Sequence, residues 1–274
     1  MRKVFCETLG LELKLPEKCE RIISFSPAVT EALFSMGLGD KIVGVSVYCV
    51  RPEEARKKPI LGSYANANIN KIKELKPDII FTTTGYQRDF ALSLSKNFNV
   101  YAIPLPISLS SLIATCVEVG FVAGYYEEAR NLERNLLEKI SNIKRLKRRI
   151  RVYVEIDLGG PVSFGAFSYI TNTLEILGAE SIFYNEHCEW LIPNFEKVKE
   201  ENPEVILYEP KMFRPETKDE VIRKLINRGW TNVDAIKHGR VIVTPGPYDF
   251  LAHHGPSFVT SVIPWLYDNL SKFE

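Results

Sequence analysis

The stretch RIISFSPAVTEALFSMGLGDKIVGVSVY, Arg21–Tyr48, decides how the chain is read. RIISF has the character of a buried strand and stops at Ser26-Pro27. Ser26 suits a helix N-cap and Pro27 the first helical turn. Val29, Leu33 and Met36 fall on one face of the helix that follows, and Gly37 can end it. A second strand, KIVGVSVY, begins after Gly37-Leu38-Gly39-Asp40. This is the opening of a parallel α/β sheet. Its Ser26–Ala28 tip lies at the carboxyl end of a strand, where open α/β sheets bind ligands. Small side chains there let a ligand's edge approach, and first-turn N–H groups suit a carboxylate or amide oxygen. A plain strand-to-helix turn is the alternative. No GxGxxG or GxxxxGK is present, so neither dinucleotide nor P-loop binding is supported.

Outward from this stretch the alternation continues. NINKIKELK predicts a helix, DIIFTTT a strand, YQRDFALSLSKNF a helix and VYAIPL a strand. Continuous Val/Ile runs between helices imply parallel strands covered on both faces. From about Ser110 to Arg149 there is no proline and the apolar spacing is helical. The segment reads as one long helix or as two, broken near Gly120 or Gly124. A second series follows: RVYVEID, TNTLEILGAESIF, PEVILYE, TKDEVIRKLINRGW, GRVIVTP and a terminal helix from about Ser257. KIKELKPDIIF (Lys71–Phe81) returns as KVKEENPEVIL (Lys197–Leu207), so both series use the same helix-proline-strand device. The expected fold is therefore α/β: two Rossmann-like lobes with parallel sheets, 1–110 and 151–274, joined by a long helix over 111–150.

The bulk numbers narrow the function classes. With 274 residues, a net charge of +1 and 45% hydrophobic residues, the chain has the composition of a globular protein. The basic run Lys144–Arg151 is isolated and suits a helix C-terminus, so no nucleic-acid partner is expected. The first twenty residues lack an unbroken apolar region because Glu7, Glu12 and Lys14 interrupt it, so no signal peptide is read in this sequence. Cys6, Cys19, Cys49, Cys116 and Cys188 are odd in number and contain no CxxC pair, which argues against a zinc cluster and leaves at most a Cys6–Cys19 bridge. There is neither a GxSxG elbow nor an HExxH, so no catalytic residue is assigned.

Three aromatic residues fall in predicted loops: Tyr48, Tyr64 and Trp190. On one rim they would form an apolar clamp, each contributing about 2.5 kcal/mol if it buried about 100 Å². The proline-rigid segment TPGPYDFLAHHGPS adds Tyr248, Asp249, His253 and His254. Adjacent histidines rarely converge on one ion, so no direct metal site is expected. His253 is the candidate to reach a metal carried by a ligand.

These residues resemble a known family. Arg21–Cys49, the following RPEEARKKPILGSYANANINKIKELKPDIIF and the second proline-strand phrase resemble the class III substrate-binding proteins of ABC importers, nearest the cobalamin-binding branch. The resemblance implies two α/β lobes joined by one long helix, with a corrinoid, ferric siderophore or haem in the cleft between them. It implies ligand contacts at Ser26, Pro27, Ala28, Tyr48, Tyr64, Trp190, Asp249 and His253. Threonine stands at position 83, where that branch has a further tryptophan. Permease docking is implied at Glu196, with uncharged Asn70 at the matching position of the first lobe. A monomer without intrinsic cofactor, located outside the cytoplasm, is the expectation. A cytosolic relative, or a cytosolic enzyme or chaperone handling a metal-containing cofactor, is the rival.

Overall fold

The computed structural model describes residues 1–274, the side chain of Tyr86 excepted. The chain forms two compact units. The first takes in Met1–Pro106, Leu112–Lys139 and Gly255–Ser257; the second takes in Ile107–Ser111, Ile140–His254 and Phe258–Glu274.

The first unit opens with β1 (Arg2–Cys6) and β2 (Leu11–Leu15), an antiparallel hairpin with Arg2 opposite Leu15. The charges read as interrupting a leader are its outward positions: Glu12 and Lys14 are exposed, while Leu13 and Leu15 between them are buried. Gly10 turns the hairpin at φ +68°. Then follow β3 (Ile22–Ser24), α1 (Pro27–Ser35), β4 (Ile42–Ser46), β5 (Ile60–Gly62), α2 (Ile69–Leu75), β6 (Ile79–Thr83), α3 (Arg88–Ser95) and β7 (Val100–Ile103). The five strands β3–β7 form a parallel sheet in the order β5-β4-β3-β6-β7. That is the doubly wound arrangement, with the strand order reversing between β3 and β6. β3, β6 and β7 are buried along their whole length, as two-sided coverage requires.

The helix expected over 111–150 is two helices, α4 (Leu109–Ala123) and α5 (Tyr126–Ser141), followed by irregular chain. The break has an identifiable cause. Gly124 sits at φ +90°, and a Cβ there would lie 2.0 Å from the Glu17 carbonyl. The last carbonyls of α4 are already taken: Arg2 Nη2 donates to Val122 O at 2.8 Å and Cys19 N to Ala123 O at 2.9 Å. A guanidinium at a helix C-terminus also meets the negative end of the helix dipole.

The second unit contains β8 (Arg151–Asp157), β9 (Pro161–Phe164), α6 (Tyr169–Leu177), β10 (Glu180–Ser181), β11 (Trp190–Leu191), α7 (Phe195–Glu201), β12 (Val205–Glu209), α8 (Lys218–Asn227), α9 (Asp234–Lys237), β13 (Val241–Val243) and α10 (Ile263–Leu270). Its sheet runs β11-β9-β8-β12-β13, with β10 beside the start of β8. The expectation of parallel strands holds for β10, β8, β12 and β13. It fails for β9 and β11, which are antiparallel. Gly159-Gly160 makes the tight return from β8 to β9, with Gly159 at φ +103°.

The core of this unit centres on Trp230, whose ring meets those of Tyr153 and Phe195 edge-on at 5.4 and 5.5 Å. Glu155, fully buried, is held by Arg228 in a two-pronged pair at 2.6 and 2.8 Å and accepts from the Tyr153 hydroxyl at 2.6 Å. All five cysteines are free thiols, Cys6 and Cys19 included. Among the described residues, no helix is long and apolar enough to cross a membrane.

Candidate functional site

In the first unit the ends of β3, β4, β5 and β6 assemble the predicted residues. Ser26 caps α1 by accepting from Val29 N at 3.4 Å, and it is 1% exposed. Ser24 and Thr30 hydroxyls converge on the Ser26 carbonyl at 2.9 and 3.0 Å. The serine hydroxyl therefore builds the tip. Half-buried Pro27 and the backbone of Ala28 form its outer face. After β4, Ser46 and Cys49 tie the next loop down: Ser46 Oγ lies 3.2 Å from Cys49 Sγ, and that thiol reaches Ser24 O at 3.6 Å. Burial pushes the Cys49 thiol pKa upward, so it stays a neutral donor.

This loop carries Tyr48, and its ring stacks on Tyr64 with centroids 4.3 Å apart and planes 12° from parallel. Two of the three aromatics expected on one rim form one double-ring platform. Tyr64 rides on a tight turn after β5, where Ser63 N donates to Asn66 O at 3.0 Å. A Cβ on Gly62 would lie 2.1 Å from Asn66 O, so only glycine admits this turn.

The sequence reading missed Gln87, which joins these pieces. Its amide, 2% exposed, donates to Phe25 O and Tyr64 O and accepts from Thr83. A polar residue just past a strand at the reversal of strand order was the available signal.

In the second unit, loop 244–254 is fastened at its middle. Glu209, at the end of β12, accepts from Phe250 N at 3.1 Å, from Ala252 N at 3.2 Å and from Leu251 N. Burial pushes its carboxyl up to about 8, and nearby Asp249 adds to this against the three N–H donors. Tyr169 OH donates to Leu251 O at 2.8 Å. Tyr248 and Asp249 lie half-buried ahead of this cradle. His253 lies beyond it and is only 4% exposed. Burial, with His253 adjacent, lowers the His254 pKa to about 4, so that ring is neutral.

Tyr248 has an aromatic partner that sequence reasoning passed over. Phe213, 51% exposed, meets it edge-on at 5.7 Å. Phe213 holds the left-handed conformation at φ +66°, fixed by its N–H to Pro247 O at 2.6 Å. An exposed phenylalanine in that conformation is the kind of strain found at binding loops. It follows a strand end just as Tyr48 does, so the same rule would have found it.

Trp190 stands apart from this loop, on β11 at the opposite edge of the sheet from β13. It pairs with Phe164 and is 57% exposed. Gly165 lets the two segments close, since a Cβ there would lie 2.5 Å from Glu186 O. The structure thus stacks Tyr48 on Tyr64 and ties their loops to the strand end leading into the Ser26–Ala28 tip, through Cys49 to Ser24 O and Gln87 to Phe25 O, while Trp190 belongs to a separate edge. Among the described residues, no group of three His, Cys, Asp or Glu side chains is placed to hold a metal ion.

Asn70 and Glu196 occupy the same position on matching helices. Asn68 caps α2 by accepting from Lys71 N at 3.1 Å. Asn194 caps α7 by accepting from Glu196 N and Lys197 N at 3.0 and 3.4 Å. Glu196 is exposed and lies 2.5 Å from Lys199.

Comparison with known proteins agrees with this architecture. An uncharacterised ABC transporter substrate-binding lipoprotein of Bacillus subtilis is 23% identical, over 92% of this chain and 80% of its own length. A vitamin B12-binding protein of Yersinia pseudotuberculosis is 25% identical over 71% of each chain. The crystal structure of a possible iron-binding (periplasmic solute-binding) protein from Staphylococcus epidermidis shares the fold at a TM-score of 0.77 and 22% identity, covering 92% of this chain and 99% of that one. A family model described as periplasmic binding protein matches residues 22–248. The chain belongs to that family, whose members are the substrate-binding components of ABC transporters.

Proposed function

We propose that this protein binds a bulky, ring-bearing, metal-containing small molecule, with a corrinoid as first choice, and delivers it to an ABC importer without altering it. The observation that carries this reading is the Tyr48–Tyr64 stack beside the Ser26–Ala28 tip, an aromatic surface at the ligand-binding end of a parallel sheet. A flat apolar face of that kind rewards a wide ligand, and the tip permits close backbone approach. Trp190, Tyr248 and Asp249 supply further contacts. The resemblance to a vitamin B12-binding protein supports the corrinoid. The resemblance in fold to a possible iron-binding protein keeps a ferric siderophore or haem as the alternative. For His253 to reach a ligand's metal, its buried ring has to turn outward. Glu196 and Asn70 are the proposed permease-facing positions, the protein acting as a monomer outside the cytoplasm.

The test is a titration with cobalamin, haem and a ferric siderophore, following each ligand's own visible absorbance. A cobalamin shift with micromolar or tighter affinity is expected, with the cobalamin recovered unchanged. The Tyr48→Ala, Trp190→Ala double variant should lose most of that affinity. A shift with haem or siderophore alone moves the assignment to the alternative, and no shift with any of the three overturns the reading. Fractionation of native cells tests the importer role, which recovery only in the soluble cytosol would eliminate.

A further inference from the structure

Gln87 is the one side chain described above that touches the three segments which shape the first unit's ligand-facing end. Its Nε2 donates to Phe25 O at 3.4 Å, just after β3, and to Tyr64 O at 3.2 Å, after β5. Its Oε1 accepts from the N–H and hydroxyl of Thr83, the last residue of β6, at 3.0 and 2.9 Å. The partners fix the amide's orientation, since two carbonyls require the NH2 group and a backbone N–H requires the oxygen. Both amide hydrogens are thereby used, in a buried setting where an unmade bond is costly. β6 is buried along its length, so Thr83 is a rigid anchor. Within the turn, Ser63 N donates to Asn66 O and Ala65 N to Ser63 Oγ. Gln87 reaches into the turn from outside and crosses the point where strand order reverses.

We infer that Gln87 is a positioning residue for ligand binding: by holding the Tyr64 carbonyl to Thr83 and Phe25, it sets the Tyr48–Tyr64 platform against the Ser26–Ala28 tip. The inference rests on the proposed use of that platform. Thr83 then has a definite task at the position where the resemblance implies tryptophan. It is 7% exposed and bonded to Gln87, and an indole there would displace the amide. Glutamate at 87 would keep the shape but turn a carboxylate oxygen toward two carbonyls, removing both donors.

The experiment compares the full-length protein with its Gln87→Glu, Thr83→Val and Tyr64→Ala variants. Amide hydrogen exchange is read first, because it needs no ligand. In Gln87→Glu, the amides of Val47, Ser63 and Asn68 should exchange at least tenfold faster, with β7 and α1 unchanged. Thr83→Val removes a single bond and should give a smaller change at the same amides, which keeps the test available if Gln87→Glu does not fold. Cobalamin affinity is read second. Gln87→Glu should weaken it at least tenfold, and the loss should vanish in a Tyr64→Ala background. Unchanged exchange at those amides in both the Gln87 and Thr83 variants overturns the inference. So does an affinity loss that persists undiminished without Tyr64. If the wild type binds none of the three ligands, the proposed function falls, and the exchange result alone decides whether Gln87 sets the platform.

Discussion

At the scale of single residues, stacking makes Tyr48 and Tyr64 partners. Removing either ring deprives the other of its neighbour, so the effects on affinity should not add. Each single alanine variant is expected to cost about tenfold in affinity or more, and the double variant little beyond the larger single loss. Independent, additive losses in the same titration would show that the rings act separately. The buried Arg228–Glu155 pair makes a different demand. Arg228→Met leaves a carboxylate buried without its counter-charge and should destabilise the protein by about 3–5 kcal/mol in urea unfolding. Adding Glu155→Gln should restore much of that loss. What the sequence showed at this scale was residue type at loop positions: aromatics after strands and a serine-proline tip. It showed Ser26 as a helix cap, but not that His253 would be buried or that Gln87 would join three loops. Those outcomes depend on which loops become neighbours, and no local pattern encodes that.

At the scale of elements, α2 and α7 are built alike. Each has an asparagine N-cap, and each ends in a left-handed residue immediately before proline: Lys76 at φ 45° and Asn202 at φ 44°. The repeated phrase in the sequence was therefore a repeated piece of structure, legible because caps and prolines act locally. The two ends are not equivalent in energy. Lys76 is exposed and bears the left-handed strain with a side chain that gains nothing there, so Lys76→Gly should stabilise the protein by roughly 0.5–1 kcal/mol. Asn202 Oδ1 accepts from Asp234 N at 2.8 Å, so Asn202→Gly should lose about 1 kcal/mol. Thermal unfolding of the two variants should move in opposite directions. The elements missed were short or edge-lying. The charges along β1–β2 speak locally only against a leader, and DLGGPVSF carries a Gly-Gly turn between apolar runs that marks the β8–β9 return. Of the two readings of 110–149, the structure takes the break at Gly124; what the sequence did not show was its cause, the Glu17 carbonyl, which is distant along the chain.

At the scale of the whole molecule, the α/β class was legible from alternation alone, because buried parallel strands and amphipathic helices carry different periods. Stability should respond to pH through two buried groups with opposed effects. Glu209, raised from 4.5 to about 8, holds a proton in the folded state that the unfolded chain releases, so its contribution declines as pH rises from about 4.5 to 8. His254, lowered from 6.5 to about 4, makes folding less favourable as pH falls from about 6.5 to 4. The two slopes cancel between about 4.5 and 6.5. Of the two, only Glu209 acts above 6.5, so urea unfolding should show stability falling more steeply from pH 6.5 to 8 in the wild type than in Glu209→Gln. An equal decline in both would remove Glu209 as the cause.

The grip of Arg2 on the end of α4 also bears on synthesis. The guanidinium reaches a carbonyl 120 residues further along. At about 5–20 residues per second, a ribosome needs roughly 6–24 s to make that distance. For that interval the arginine can reach only Pro16 O beside the hairpin, to which its Nε donates at 3.0 Å, and not the helix end. Until then the hairpin lacks the α4 end that Arg2 and Cys19 bind in the folded chain.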